Sequence, residues 1–209
     1  MKAVVIHLAK AVERLPLIEN INKIFPLDIY DAKDGSEWQA NPKIQKAHPW
    51  TKKPVTQGNI GCTHSHIELI QEALKAGYNS IIIFEDDCDF KPEVDTAMMT
   101  KFIEGAPPYD ILLLGGTEYV ESESAGDYKK VGRFWGAHAL ILKERSMRAA
   151  LKAFAESQKQ GDFLPGDWLY NEAIKEGLTC YGPADPFQFC RQKEGLLSYL
   201  TGTVRKYRT

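Results

Sequence analysis

The segment Ile81-Ile82-Ile83-Phe84-Glu85-Asp86-Asp87-Cys88-Asp89-Phe90 runs from an apolar stretch straight into four carboxylates within five residues. Carboxylates this close repel one another unless a positive charge sits among them. A hard divalent cation such as Mn²⁺ or Mg²⁺ takes oxygen ligands and bridges protein carboxylates to substrate phosphates. The run reads as a buried strand, and the carboxyl end of a strand is where open α/β sheets bind ligands. Side chains alternate along a strand, so Glu85, Asp87 and Asp89 share one face as candidate metal ligands and Asp86 points away. Asp87-Cys88-Asp89 is a DxD tripeptide, two carboxylates spaced to flank one ion. The plain alternative is a solvated acidic turn after a buried strand.

Three further groups of residues bear on chemistry. Thr63-His64-Ser65-His66 places two imidazoles two residues apart, which suggests zinc. The stretch is predicted helical, however, and residues i and i+2 of a helix do not face each other. Its place near a helix start at Gly58–Gly61 suggests instead that free amides and the helix dipole attract a diphosphate, with Ser65 or His66 donating hydrogen bonds. A cap with one buried histidine is the structural alternative. Asp167, in Pro165-Gly166-Asp167-Trp168, stands at another predicted helix start, where it either caps the helix or acts as a general base toward an acceptor hydroxyl. Trp135 and Trp168 could stack on sugar rings or pack in the core. Arg14 and Arg133 fit surface ion pairs better than a catalytic role.

The elements that must position these residues follow from periodicity. Lys2–Leu8 reads as a strand, 11–25 as a helix with Val12, Leu15, Ile18, Ile21, Ile24 and Phe25 on its apolar stripe, and 27–30 as a second strand ending at the Asp34-Gly35 turn. Residues 36–57, with Pro42, Pro49, Pro54, Trp38 and Trp50, read as an irregular insertion. A helix from 58 to 76 with Gly77 as its stop precedes the acidic strand, and Pro92 suits the first turn of a helix reaching 102. Strand 110–114, a polar hairpin or loop at 118–130, strand 134–142, helices 144–158 and 167–176, and strand 178–181 complete the order. Strands alternating with helices predict an α/β sandwich with a mostly parallel central sheet in a single domain.

Bulk properties exclude several classes. The 209 residues are 44% hydrophobic, enough for a sizeable core, and the net charge of −2 gives no global footprint for nucleic acid, although Arg205-Lys206-Tyr207-Arg208 is locally basic. The four cysteines show no CxxC spacing, no signal-peptide pattern opens the chain, and no apolar run approaches a membrane span. A cytoplasmic protein that meets any membrane-linked acceptor only from the surface is the expectation.

Taken in order, the motifs resemble glycosyltransferase family 25, which includes lipopolysaccharide and collagen galactosyltransferases. Val4-Val5-Ile6-His7-Leu8 with Glu13-Arg14 is similar to the family's opening segment, Ala32-Lys33-Asp34-Gly35 to its A-x-DG, and Gly58 through His66 to its GxxGCxxSH. Phe84-Glu85-Asp86-Asp87 is similar to its EDD, Gly136-Ala137-His138-Ala139 to a G-T-x-A-Y strand, and Asp167-Trp168 to a D-W helix start. Pro186 to Ser198, with Gln192, is similar to the closing P…Q…S. His7 stands where the family usually has Asn, and Leu140 where it usually has Tyr. The resemblance implies a GT-A-like, Rossmann-type fold, a UDP-hexose donor (galactose or glucose), a Mn²⁺ or Mg²⁺ cofactor, and inverting transfer to a hydroxyl, most readily on a saccharide such as lipopolysaccharide. It assigns Glu85, Asp87 and Asp89 to the ion, Asp34, Gly61, Ser65, His66 and Asp86 to the donor, and Asp167 to the acceptor proton. A metal-dependent phosphohydrolase and a non-catalytic carbohydrate-binding module are the competing readings.

Overall fold

β-Branched and aliphatic runs without alternating polar residues form strands buried on both faces, and four such runs make the centre of this molecule. The computed structural model describes residues 1–37, 55–198 and 203–204. In chain order the strands of the main sheet are β1 (Lys2–His7), β2 (Asp28–Asp31), β3 (Ser80–Glu85), β5 (Ile111–Gly115), β6 (Glu118–Ala125), β7 (Tyr128–Trp135), β8 (Ala139–Lys143) and β9 (Cys180–Pro183). β4 (Cys88–Phe90) lies outside that sheet and pairs with β10 (Cys190–Gln192), and β11 (Leu197–Ser198) pairs with β12 (Thr203–Val204). The helices are α1 (Leu15–Ile24), α2 (Gln57–Lys75), α3 (Thr96–Gly105), α4 (Glu144–Lys159) and α5 (Gly166–Lys175).

The eight main strands lie in the order β2-β1-β3-β8-β5-β9-β7-β6. β8 and β7 run opposite to the other six, so the predicted predominance of one direction holds, with two reversed strands inserted. Alternation along β1 and β3 builds both layers. Val4, Ile6, Ile81 and Ile83 face Ile67 and Ile70 of α2, Met147 of α4 and Leu169 of α5. Ala3, Val5, Ile82 and Phe84 face Ile18 and Ile21 of α1 and Met99 and Phe102 of α3. The result is the expected α/β sandwich.

Three local readings are corrected and a fourth is resolved. The helix read over 11–25 is a 3-10 turn at Val12–Arg14 followed by α1, because Pro16 sits in the first helical turn; Val12 and Leu15 are exposed and Leu17 joins Ile18, Ile21 and Ile24 as the buried stripe. Pro92 lies in a turn, and α3 starts only at Thr96, where Asp95 caps the Met98 amide at 2.7 Å. Of the two readings for 118–130, hairpin or loop, the β6–β7 hairpin is the one formed, closed by Gly126 at φ +65°. Strand 134–142 is broken at 136–138 into β7 and β8, with Gly136 at φ +80°. Of the insertion read at 36–57, residues 38–54 lie outside the described residues, as does the basic tail. No helix among the described residues is long and apolar enough to cross a membrane.

Candidate active site

The acidic run does not continue as one strand. β3 ends at Glu85, Asp86 and Asp87 form a turn, and β4 begins at Cys88. The turn divides the four carboxylates. Asp86, 4% exposed, points into the protein, where its Oδ2 meets His7 Nδ1 at 2.9 Å and accepts from the Leu8 amide at 3.3 Å, while its Oδ1 pairs with Arg14. Arg14 is therefore not on the surface: it is 6% exposed. Burial pushes its pKa down, and the carboxylates of Asp86, Asp87 and Glu85 more than offset that, leaving it firmly charged. The pair ties the β1–α1 connection to the turn, and Asp86, expected to contact the donor, borders the cleft with both oxygens bonded to protein groups. Asp89 is also placed apart: on β4 it pairs with Lys193 at 2.9 Å and faces a second groove beside Lys23 and Lys91. Glu85 and Asp87 alone of the three expected metal ligands face the cleft.

The second wall is the start of α2. Thr56 caps it, its side chain accepting from the Asn59 amide while the Asn59 side chain accepts from the Thr56 amide. Gln57 and Gly58, whose amides have no partner one helical turn earlier, line the cleft. Gly61 is required by a close approach: a Cβ there would stand 2.4 Å from the Lys33 carbonyl oxygen. Ser65 secures the same approach, since its hydroxyl accepts from the Lys33 amide at 2.8 Å and donates to the Gly61 carbonyl at 2.7 Å. Gly61 and Ser65 thus hold the 33–35 loop against α2 and present Asp34 to the cleft. Hydrogen bonding from the Lys10 ammonium, then from the Ser36 amide and hydroxyl, pulls Asp34 down to about 2.

His66 and Asp167 approach from the α2/α5 layer. His66 is fully buried, with Nδ1 2.8 Å from the Tyr170 hydroxyl and Nε2 3.4 Å from Glu85 Oε1. Cys62 Sγ lies 3.8 Å from the same Glu85 oxygen, and Gln192 Nε2 donates to Glu85 Oε2 at 3.2 Å. His64 turns the other way, edge-on to Phe154, as expected for residues two apart on a helix. Asp167, in the first turn of α5, accepts from the Gly136 amide at 3.2 Å, a donor exposed by the break between β7 and β8. Pro165 holds the N-cap position, and the carboxylate also accepts from its own amide in the first turn. Burial pushes Asp167 up to about 6; the Glu85 carboxylate adds to this, while the Gly136 amide and His66 pull against it. Trp168 is buried and meets Trp135 edge-on at 5.1 Å, which makes it a wall of the core rather than a sugar platform.

A cleft of about 220 Å³ lies at the carboxyl ends of β1 and β3, bordered by Lys10, Lys33, Asp34, Cys62, His66, Glu85, Asp87 and the first turn of α2; Asp167 lies outside this lining. Leu140 is in the core, and His7 bonds to Asp86. Sequence reasoning gave no site role to Lys10, Tyr170 or Gln192 and read Cys62 only as an apolar helix contact. Cys62 and Gln192 sit inside quoted motifs, whereas Lys10 and Tyr170 carried no local signal.

Comparison with known proteins points to one family. The family model for "Glycosyltransferase family 25 (LPS biosynthesis protein)" matches residues 1–130, which include the Asp34 loop, the start of α2 and the acidic turn. A bovine (Bos taurus) protein described as "Probable inactive glycosyltransferase 25 family member 3" is 28% identical over 81 residues, covering 37% of this chain and 13% of the bovine protein. Distant similarity extends to three solved structures. A197 from STIV has a TM-score of 0.43 at 12% identity, covering 100% of this chain and 99% of its own. A glycosyltransferase involved in glycosylation of the major capsid of PBCV-1 has a TM-score of 0.40 at 12% identity, covering 87% and 92%. A nucleoside-diphosphate-sugar pyrophosphorylase from Vibrio cholerae RC9 has a TM-score of 0.42 at 15% identity, covering 86% and 71%. With more than half its length matched by the family model, this chain belongs to glycosyltransferase family 25.

Proposed function

We propose that this glycosyltransferase moves a hexose, galactose or glucose, from a UDP-sugar to an acceptor hydroxyl with inversion, in the cytoplasm and as a single catalytic domain. A saccharide of the lipopolysaccharide type is the acceptor we favour, reached from the membrane surface where it is lipid-linked. The observation that carries the reading is the meeting of Glu85 and Asp87 with Lys10, Lys33, Asp34 and the first turn of α2 around one cleft.

The donor set fits a hard divalent cation: two carboxylates at a strand end, both bordering the cleft, with Asp87 only 7% exposed. Mn²⁺ or Mg²⁺ held by Glu85 and Asp87 would neutralise charge on the departing diphosphate. The chain's own groups do the rest. Lys10 and Lys33 and the amides of Gln57 and Gly58 offer positive charge and hydrogen bonds to the phosphates. Asp34, ionised far below neutral pH, accepts hydrogen bonds from nucleoside hydroxyls. The Arg14–Asp86 pair keeps the acidic turn fixed against β1, so the carboxylates stay aimed at the cleft. Asp167, with a pKa near 6, is mostly ionised at pH 7 and still basic enough to accept the acceptor's proton. The Glu85 carboxylate is near enough to raise the Asp167 pKa, and a base beside the acidic turn suits a single displacement.

A panel of nucleotide sugars, incubated with Mn²⁺ and no acceptor, tests this. Slow metal-dependent release of UDP from a UDP-hexose is expected. Release of phosphate from simple phosphoesters, with no turnover of any nucleotide sugar, would point to a phosphohydrolase instead.

A further inference from the structure

Cys62, His66 and Glu85 stand together for a reason the transfer chemistry does not require. Their ligating atoms all lie within 4.8 Å of one another. In a tetrahedral zinc site the bond lengths of about 2.1 Å to N and O and about 2.3 Å to S put neighbouring N and O about 3.4 Å apart, and S and O about 3.6 Å apart. Here His66 Nε2 and Glu85 Oε1 are 3.4 Å apart, and Cys62 Sγ and Glu85 Oε1 3.8 Å. The three residues come from facing elements: Cys62 and His66 are i and i+4 on α2, one above the other, and Glu85 ends the neighbouring strand β3.

The surroundings also match those of a ligand set. A ligating histidine is held by a hydrogen bond at its other ring nitrogen, and a ligating carboxylate by one at its second oxygen. His66 Nδ1 has the Tyr170 hydroxyl at 2.8 Å, and Glu85 Oε2 has the Gln192 amide at 3.2 Å. Cys62 and Glu85 both border the cleft, which leaves the fourth direction open.

We propose that Cys62, His66 and Glu85 form a second, three-ligand site for a borderline transition-metal cation of the Zn²⁺ or Co²⁺ type, with its fourth position opening on the cleft. Thiolate and imidazole select such an ion over Mn²⁺ or Mg²⁺, which take oxygen. On binding, Cys62 releases its thiol proton to solvent, and His66 carries its remaining proton on Nδ1, donating it to the Tyr170 oxygen while Nε2 ligates. The ion takes Glu85 away from Asp87, so zinc displaces the cation that the transfer reaction uses. This last consequence rests on the proposed function; the site itself does not.

Metal binding without any nucleotide separates the two. Titration of the full chain with Co²⁺ is expected to give the intense near-ultraviolet thiolate-to-cobalt absorption with one equivalent bound, and Zn²⁺ should bleach it. Cys62→Ser should abolish the band, with unchanged circular dichroism showing that the chain is folded. Asp87→Asn should keep the band while losing Mn²⁺-dependent UDP binding. Tyr170→Phe should weaken zinc binding by roughly 10–100-fold in equilibrium dialysis. No thiolate band in the wild-type chain, or an undiminished band in Cys62→Ser, overturns the proposal whether or not the protein transfers sugar.

Discussion

Replacing Asp167 by Asn should stabilise the protein at neutral pH while removing transfer. Asn keeps the shape and can still accept from the Gly136 amide, so the substitution isolates the charge. The folded carboxyl titrates near 6, against an ordinary value of 3.8, because burial and the neighbouring Glu85 disfavour its charged form. Below pH 4 the group is protonated in both states and contributes no difference. Between about pH 4 and pH 6 the folded state holds a proton that the unfolded chain has lost, so stability falls as pH rises. Above 6 the whole penalty is present. About two pKa units at 1.36 kcal/mol each gives about 3 kcal/mol as an upper figure, and about 1–3 kcal/mol once the partly open side of the group is allowed for. Urea unfolding of the two proteins at pH 7.5 and pH 3.5 measures it: Asp167→Asn should be the more stable at 7.5, and the difference should vanish at 3.5. If the variant is less stable at 7.5, or if the gap does not depend on pH, the burial argument for a raised carboxyl is wrong. In the wild type the same titration should make kcat fall as pH drops through about 6, as expected of a base.

Other substitutions test other parts of the site. Asp86→Ala removes the carboxylate that pairs with the buried Arg14 guanidinium and should cost about 3–5 kcal/mol in denaturant unfolding, far more than losing a surface pair would. Gly61→Ala places a methyl against the Lys33 carbonyl and should destabilise by about 1–3 kcal/mol and, by moving the 33–35 loop, raise KM for the nucleotide sugar. Asp34→Asn should raise that KM more than it lowers kcat, because the proposed function gives it the nucleoside and not the reacting carbon. Asp89→Asn should leave Mn²⁺-dependent UDP binding unchanged, since Asp89 faces a different groove.

The sheet was legible because its strands are continuous apolar runs, and Ile81–Phe84 named the centre of it as well as the place where the carboxylates emerge. Hydrophobic patterning fails where a local backbone event resets the phase. Pro16 shifts the start of α1 and leaves Val12 outside, and the turn at Asp86–Asp87 divides an acidic run that simple alternation would place on one face. Asp86 illustrates the limit most clearly: its partners His7 and Arg14 lie 79 and 72 residues away, and no spacing rule connects them. The same holds for Gln192, which reaches Glu85 across 107 residues through the pairing of β10 with β4. Motif order conveyed which segments belong together, while the division of labour among Glu85, Asp86, Asp87 and Asp89 needed the turn itself.

The central claim is that Glu85 and Asp87 bind a nucleoside diphosphate through a divalent cation. Calorimetric titration of the wild-type chain with UDP, with and without Mn²⁺, tests it most directly, with Asp87→Asn as the comparison. Binding that appears only with Mn²⁺ and is lost in Asp87→Asn is the predicted result. UDP binding of equal strength without metal, or undiminished in Asp87→Asn, would contradict it.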